Sequence, residues 1–298
     1  MDFEVLSAEI LNNETHTFTF SKSVDQFMVG FSKFLIEYPE TDHHIQKIFI
    51  DLTDVQKNDD KVIISPKFHM SDSSNHNESY YSKITVVVLA AIGYKNRNIY
   101  MENGIKTNIE HILPLNNPTF IAPSLTYSSV QFEEEDHHLN KLSTKIEVDS
   151  DSGSFKLDGF SKIQDSGKYS GSGEVNGSIF IYNGTDHKVL GSNFTSGTEG
   201  NFVLVKLGQN TKKTHHKRFR MACFIDGFEL SYKNNSDHHV KTIEVSCEID
   251  EKNLIEDQGS LYAKVFLKSL LSDGRRNNFD VPHNTISGFV VAFKNDKQ

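Results

Sequence analysis

The chain has no tryptophan, two cysteines and six prolines among 298 residues. Two cysteines cannot build a disulfide framework, so packed cores must supply the stability. Cys223 and Cys247 fall on separate expected strands in the last third, where reduced, buried thiols are expected. Basic residues are also scarce: 31 Lys and Arg stand against 40 Asp and Glu, a net charge of -9. An acidic chain repels phosphate backbones, which argues against a nucleic-acid partner. The one basic cluster, Lys212, Lys213, Lys217, Arg218 and Arg220, reads as a solvated loop.

Long apolar runs are missing as well. The longest, Ile84 to Ile92, is far too short to span a bilayer. The amino terminus, MDFEVLSAEI, lacks a basic stretch followed by an apolar core, so no secretory leader is expected. The expectation is a soluble chain, cytoplasmic at synthesis and outside the cell only by lysis or non-classical export. There is no Gly-x-Ser-x-Gly turn, no phosphate-binding loop, no His-Glu-x-x-His and no Cys-x-x-Cys. An enzyme is therefore not expected.

What the sequence does contain is a repeat. The triplet Asp-His-His occurs at Asp42, Asp136 and Asp237, with similar flanks each time. Alternating apolar residues precede it: Phe34, Ile36 and Tyr38, then Val130 and Phe132, then Phe228, Leu230 and Tyr232. A second alternating segment follows, as in Ile45, Ile48, Ile50 and Leu52. Each copy then has an apolar-x-Asp step ending at Asp72, Asp165 or Asp273, and a closing apolar strand. Period-two alternation of Val, Ile, Phe, Tyr and Thr between Asp, Asn, Gly and Ser turns is the pattern of half-buried strands. The fold expected is all-β: three tandem β-sandwich modules of one type, covering 1–98, 99–191 and 192–298. One stretch resists. Val24, Phe27, Met28, Phe31, Phe34, Leu35 and Tyr38 also recur at helical spacing, so a helix over 23–36 competes with the strand that the repeat demands.

The triplets and the apolar-x-Asp steps should meet at one edge of each module. This groups Asp42, His43, His44 and Asp72 (with His76), then Asp136, His137, His138 and Asp165, then Asp237, His238, His239 and Asp273 (with His283). Carboxylate and imidazole suit a divalent metal. Adjacent strand residues point to opposite faces, however, so both histidines of a pair cannot reach one ion, although Asp42 and His44 could. The preferred reading is structural: the Asp caps a turn and a His packs across the hairpin. No cofactor is required. A corner present once per module looks architectural rather than catalytic.

Three functions fit. The first is a structural or assembly protein that binds itself or another protein through repeated surfaces. The second is a multivalent carbohydrate-binding protein, with Tyr80, Tyr81, Tyr169 and Phe279 as candidate stacking residues. The third is a pore-forming toxin subunit, for which the Ser- and Gly-rich stretch 149–201 would supply a membrane hairpin. Its sparse, glycine-interrupted apolar positions favour ordinary loops and short strands instead.

Overall fold

A computed structural model describes residues 2–38, 41–73, 81–93, 98–133, 135–151, 153–167, 169–184, 189–197, 202–209, 219–232, 237–274 and 284–294. The chain is all-β and sandwich-like, with twenty strands and no helix among these residues. The first third holds β1 (Asp2–Leu11), β2 (His16–Thr19), β3 (Val24–Glu37), β4 (Lys47–Asp51), β5 (Val55–Asn58), β6 (Lys61–Ile64), β7 (Lys67–Ser71) and β8 (Lys83–Ile92). The second holds β9 (Ile99–Lys106), β10 (Glu110–Ile112), β11 (Phe120–Gln131), β12 (Lys141–Asp151), β13 (Ser154–Gln164) and β14 (Ser170–Tyr182). The last holds β15 (Val189–Gly197), β16 (Phe202–Gln209), β17 (Phe219–Ser231), β18 (Thr242–Asp257), β19 (Ser260–Ser272) and β20 (Thr285–Lys294). The second boundary expected, at 191, falls inside β15.

The segment with helical spacing is strand β3. Its register slips twice against β8, between Val24 and Gln26 and between Phe31 and Lys33. Each bulge inserts one residue and inverts which face the next side chains occupy. Two such inversions turn a spacing of two into a mixture of two and three, and Met28 is buried on the opposite face, which completes the helical look. The second bulge recurs at matching places: Ser32 in β3, Thr126 in β11 and Asp226 in β17.

The three units are not beads on a string. In each, the long strand before the triplet pairs with the strand after the triplet of another unit. β11 pairs β4, with Gln131 opposite Lys47; β17 pairs β12, with Ser231 opposite Lys141; β3 pairs β18, with Glu37 opposite Thr242. Each ladder has five residue pairs. The exchange runs from first to second to third and back to the first, so it closes. The resulting sheets have the orders β1-β8-β3-β18-β19-β16 and β15-β20-β17-β12-β13-β14-β11-β4-β7, with a small β2-β6-β5 sheet beside them. Strands from different thirds of the chain are thus paired in common sheets.

The long strands β3, β11 and β17 and the closing strands β8, β14 and β20 are buried on both faces near their inner parts. In β8, Ile84, Val86, Val88, Ala90 and Ile92 enter the main core, while Val87, Leu89 and Ala91 enter a second one. That second core also gathers Met28, Ala122 and Ala222, together with Phe180, Phe224 and Phe289, so it is the apolar filling where all three units meet. Burying each such side chain contributes roughly 1.5–3 kcal/mol, which is why these strands read as near-continuous apolar runs.

Equivalent positions around this inner core need not match. Two residues before the shared bulge stand Gly30, Ser124 and Phe224. A Cβ on Gly30 would overlap the Ser124 hydroxyl and lie 2.7 Å from Cδ1 of Phe224. The glycine is there to admit the other two side chains, and Phe224 itself stacks on Phe289 at 4.9 Å.

Candidate histidine centre

The triplets lie where the cycle of strands closes. Three antiparallel bridges link them: His43 with Val240, Ile45 with His137, and Leu139 with His238. Each bridge has both amide bonds, for example His43 N–H to Val240 O at 3.0 Å and Val240 N–H to His43 O at 2.8 Å. The residue after each Asp thus bonds to the residue three after the Asp of another triplet. Between the two bridging residues of every triplet sits the second histidine. Strand alternation then fixes the side chains. Ile45, Leu139 and Val240 are fully buried in the main core. His44, His138 and His239 point the other way and converge.

Their rings pack together, with centroids 4.3 Å apart for His44 and His138, 4.6 Å for His44 and His239, and 4.8 Å for His138 and His239. The Nε2 atoms of His44 and His138 are 3.2 Å apart. One ring nitrogen from each histidine lies within 4.8 Å of the other two. Carboxylates back the rings from outside. Asp136 lies 3.8 Å from Nδ1 of His44, and Asp42 lies 3.6 Å from Nδ1 of His239. Asp237 is the carboxylate that acts on His138, and it also accepts bonds from the amide and hydroxyl of Ser166. His44 and His239 are thus each backed by the Asp of a different triplet. Burial first, and then the neighbouring imidazoles of His44 and His239, hold His138 below the ordinary imidazole pKa, with Asp237 opposing them.

The first histidines do something else. His43 and His238 face the Asp of their own unit, with Nδ1 at 3.6 Å from Asp72 and 3.1 Å from Asp273. Each of the three packs on the aromatic residue that follows its long strand: His43 on Tyr38, His137 on Phe132 and His238 on Tyr232. In the second unit His137 also stacks on Tyr169 at 4.1 Å. There Asp165 accepts the amides of Gly167 and Tyr169, at 2.9 and 3.0 Å, and so shapes a turn.

The twelve residues grouped from sequence into three edges therefore divide differently. Asp72, Asp165 and Asp273 stay within their own units. Asp42, Asp136, Asp237 and the second histidines form one common centre. Asp42 and His44, paired from sequence as co-ligands, serve different partners. His76, His283, Tyr80, Phe279 and the basic residues 212–218 lie outside the described residues. Cys223 and Cys247 are buried and free, with Sγ atoms 2.9 Å apart, and burial pushes the Cys247 thiol up.

Sequence reasoning missed two further residues. Asp226, at the third bulge, is buried, accepts a bond from Ser287, and has its carboxyl pushed up to about 7, chiefly by burial. Ser32, at the matching bulge of β3, lines a cleft of about 220 Å³ between the first and third units, with Ser7, Thr85, Glu248 and Cys247. A bulge leaves only a slip in alternation as its sequence signal.

No family model, no curated protein and no solved structure matches the chain. Among the described residues no helix is long and apolar enough to cross a membrane.

Proposed function

We propose that this chain is a non-enzymatic scaffold that holds three copies of one β unit in a fixed ring and presents their faces to copies of itself or to a protein partner. The observation that carries it is the closed exchange of strands, in which every unit lends one strand and receives another. Such an exchange sets the relative positions of the three faces without a flexible linker, and rigid repetition is what avidity requires. Self-association has a specific support at the edge of the six-stranded sheet. Strand β16 exposes Phe202 and Leu204, and its neighbour β19 exposes Phe266, each more than 40% accessible. An apolar edge strand is a template for another chain.

Size-exclusion chromatography with light scattering, run over a range of concentrations and followed by electron microscopy, tests this. The wild-type chain is expected to form concentration-dependent assemblies, and Leu204→Lys is expected to shift them to monomer. A wild-type chain that stays monomeric throughout overturns self-association.

A second reading, a multivalent glycan binder, is favoured by the cleft beside Ser32. Hydroxyls of Ser7, Ser32 and Thr85 and the carboxylate of Glu248 line it, next to apolar Val5 and Val87. Hydroxyl and carboxylate groups beside an apolar wall suit a sugar ring. A glycan array with Glu248→Ala as control separates this reading from the first.

A further inference from the structure

We propose that His44, His138 and His239 together form a single site for a divalent transition-metal ion of the zinc class, one ion for the whole chain. In His44 and His239 the Nδ1 edge faces a carboxylate, at 3.8 and 3.6 Å. A carboxylate there favours the proton on Nδ1, which leaves Nε2 as an acceptor. The Nε2 atoms of His44 and His138 nevertheless approach to 3.2 Å. In the metal-free chain a proton on Nε2 of His138 bridges the two, and a cation would take that proton's place. A third imidazole, His239, closes the triangle, with all three donor nitrogens within 4.8 Å. One proton can bridge only two nitrogens. A cation satisfies all three.

The dimensions agree. A tetrahedral zinc with nitrogen ligands at about 2.0–2.1 Å has ligand atoms about 3.3–3.4 Å apart. The His44–His138 pair, at 3.2 Å, already stands near that spacing, and the donor atom of His239, within 4.8 Å of the others, has to move inward to reach it. Neutral imidazole suits zinc and its neighbours in the first transition row, whereas calcium and magnesium prefer oxygen. The surroundings resemble a metal's outer shell, because carboxylates of Asp136 and Asp42 lie 3.8 and 3.6 Å from Nδ1 of His44 and His239. The rings are also partly open to water, with side-chain accessibilities of 37% for His44 and 33% for His239. A fourth position would face solvent.

Placement argues against chance. The histidines that meet come from positions far apart in sequence, and each is held by backbone bridges on both sides. Because each ligand belongs to a different unit, a bound ion would tie the three together at the point where their strands close.

The test uses the full chain, stripped with chelator and titrated with Zn²⁺ against a chromophoric competitor, then with Co²⁺ while its visible absorption is recorded. One ion per chain is expected, with the intense Co²⁺ bands of a four-coordinate site. Combined His44→Ala, His138→Ala and His239→Ala substitution is expected to abolish binding, and Asp136→Asn to weaken it by about 10–100-fold. His137→Ala removes a histidine next to the site and is expected to leave the stoichiometry at one. If the triple variant does not fold, His138→Ala alone is read, and affinity unchanged from wild type overturns the proposal. So does a stoichiometry of three per chain, or no binding at micromolar Zn²⁺.

Discussion

Where the long strands meet, three equivalent positions hold Gly30, Ser124 and Phe224; where the triplets meet, they hold His44, His138 and His239. The first set shows what happens when only volume has to be satisfied. One large, one small and one absent side chain fill a space that three identical residues of the size of Phe224 could not share. A single chain can differentiate its copies in this way, whereas three identical subunits could not. The second set has the opposite character. Three identical groups converge there, ring against ring, with a hydrogen bond between two of them. Sameness at one level and difference at the other separate a chemical requirement from a steric one.

The largest effect should come from the steric set. Phe224→Ala removes a fully buried ring stacked on Phe289 and is expected to cost about 3–5 kcal/mol, read by denaturant unfolding. Gly30→Ala should cost about 1–3 kcal/mol by overpacking. Part of that loss should return when Ser124→Gly is added, because the two positions compete for one space. Strict additivity of the pair would show that the volumes are not shared.

Asp226 sharpens the same contrast, since it is a unique residue at a repeated bulge. Its carboxyl is pushed up to about 7 in the folded chain, from an ordinary value of 3.8. Between these values the folded state holds a proton that the unfolded state has released. Stability contributed by this group therefore falls as pH rises from about 4 to 7 and is level above that. Burial is the main cause; the Ser287 bond and Lys145 work against it, and Glu147 adds to it. Asp226→Asn should flatten the slope and raise stability at pH 8, by on the order of 2–3 kcal/mol. Thermal unfolding across that range checks it, and an unchanged slope would place the titration elsewhere.

Much of this was legible in the sequence, and the rest was hidden for definite reasons. The all-β, sandwich-like class follows from the period-two alternation of apolar residues. Strand β3 was legible only through its copies, because the bulges at Asp25 and Ser32 disguise its period. The meeting of His44 with His138 and His239 was not legible, since it depends on bridges between residues about 100 to 200 positions apart. A partial signal was present. If the residue three after each Asp is core, the second histidine must face away from that core in all three copies. What no local pattern conveys is that the copies close into a ring, and so Asp42 was matched with His44 rather than with His239.

The two histidine rows extend the contrast on a smaller scale. His238 packs on Tyr232 and faces the buried carboxylate of Asp273, so His238→Ala removes a partner from a charge that water scarcely reaches. A loss of about 1–2 kcal/mol is expected, measured by urea unfolding.

The smallest effect, and the most discriminating, concerns His138 in metal-free protein. It is the exposed member of its cluster, and burial together with the other imidazoles already disfavours its charge. Removing it gives up one exposed hydrogen bond to His44 and uncovers no apolar core, because Leu139 and not His138 faces inward. His138→Ala should therefore change metal-free stability by no more than about 0.5 kcal/mol, the range of ordinary surface substitutions. With Zn²⁺ present, only the wild-type chain should gain in melting temperature, since a ligand stabilises the state that binds it. A metal-free loss as large as that of Phe224→Ala would mean that the cluster is packing after all, and the distinction between the two levels would collapse.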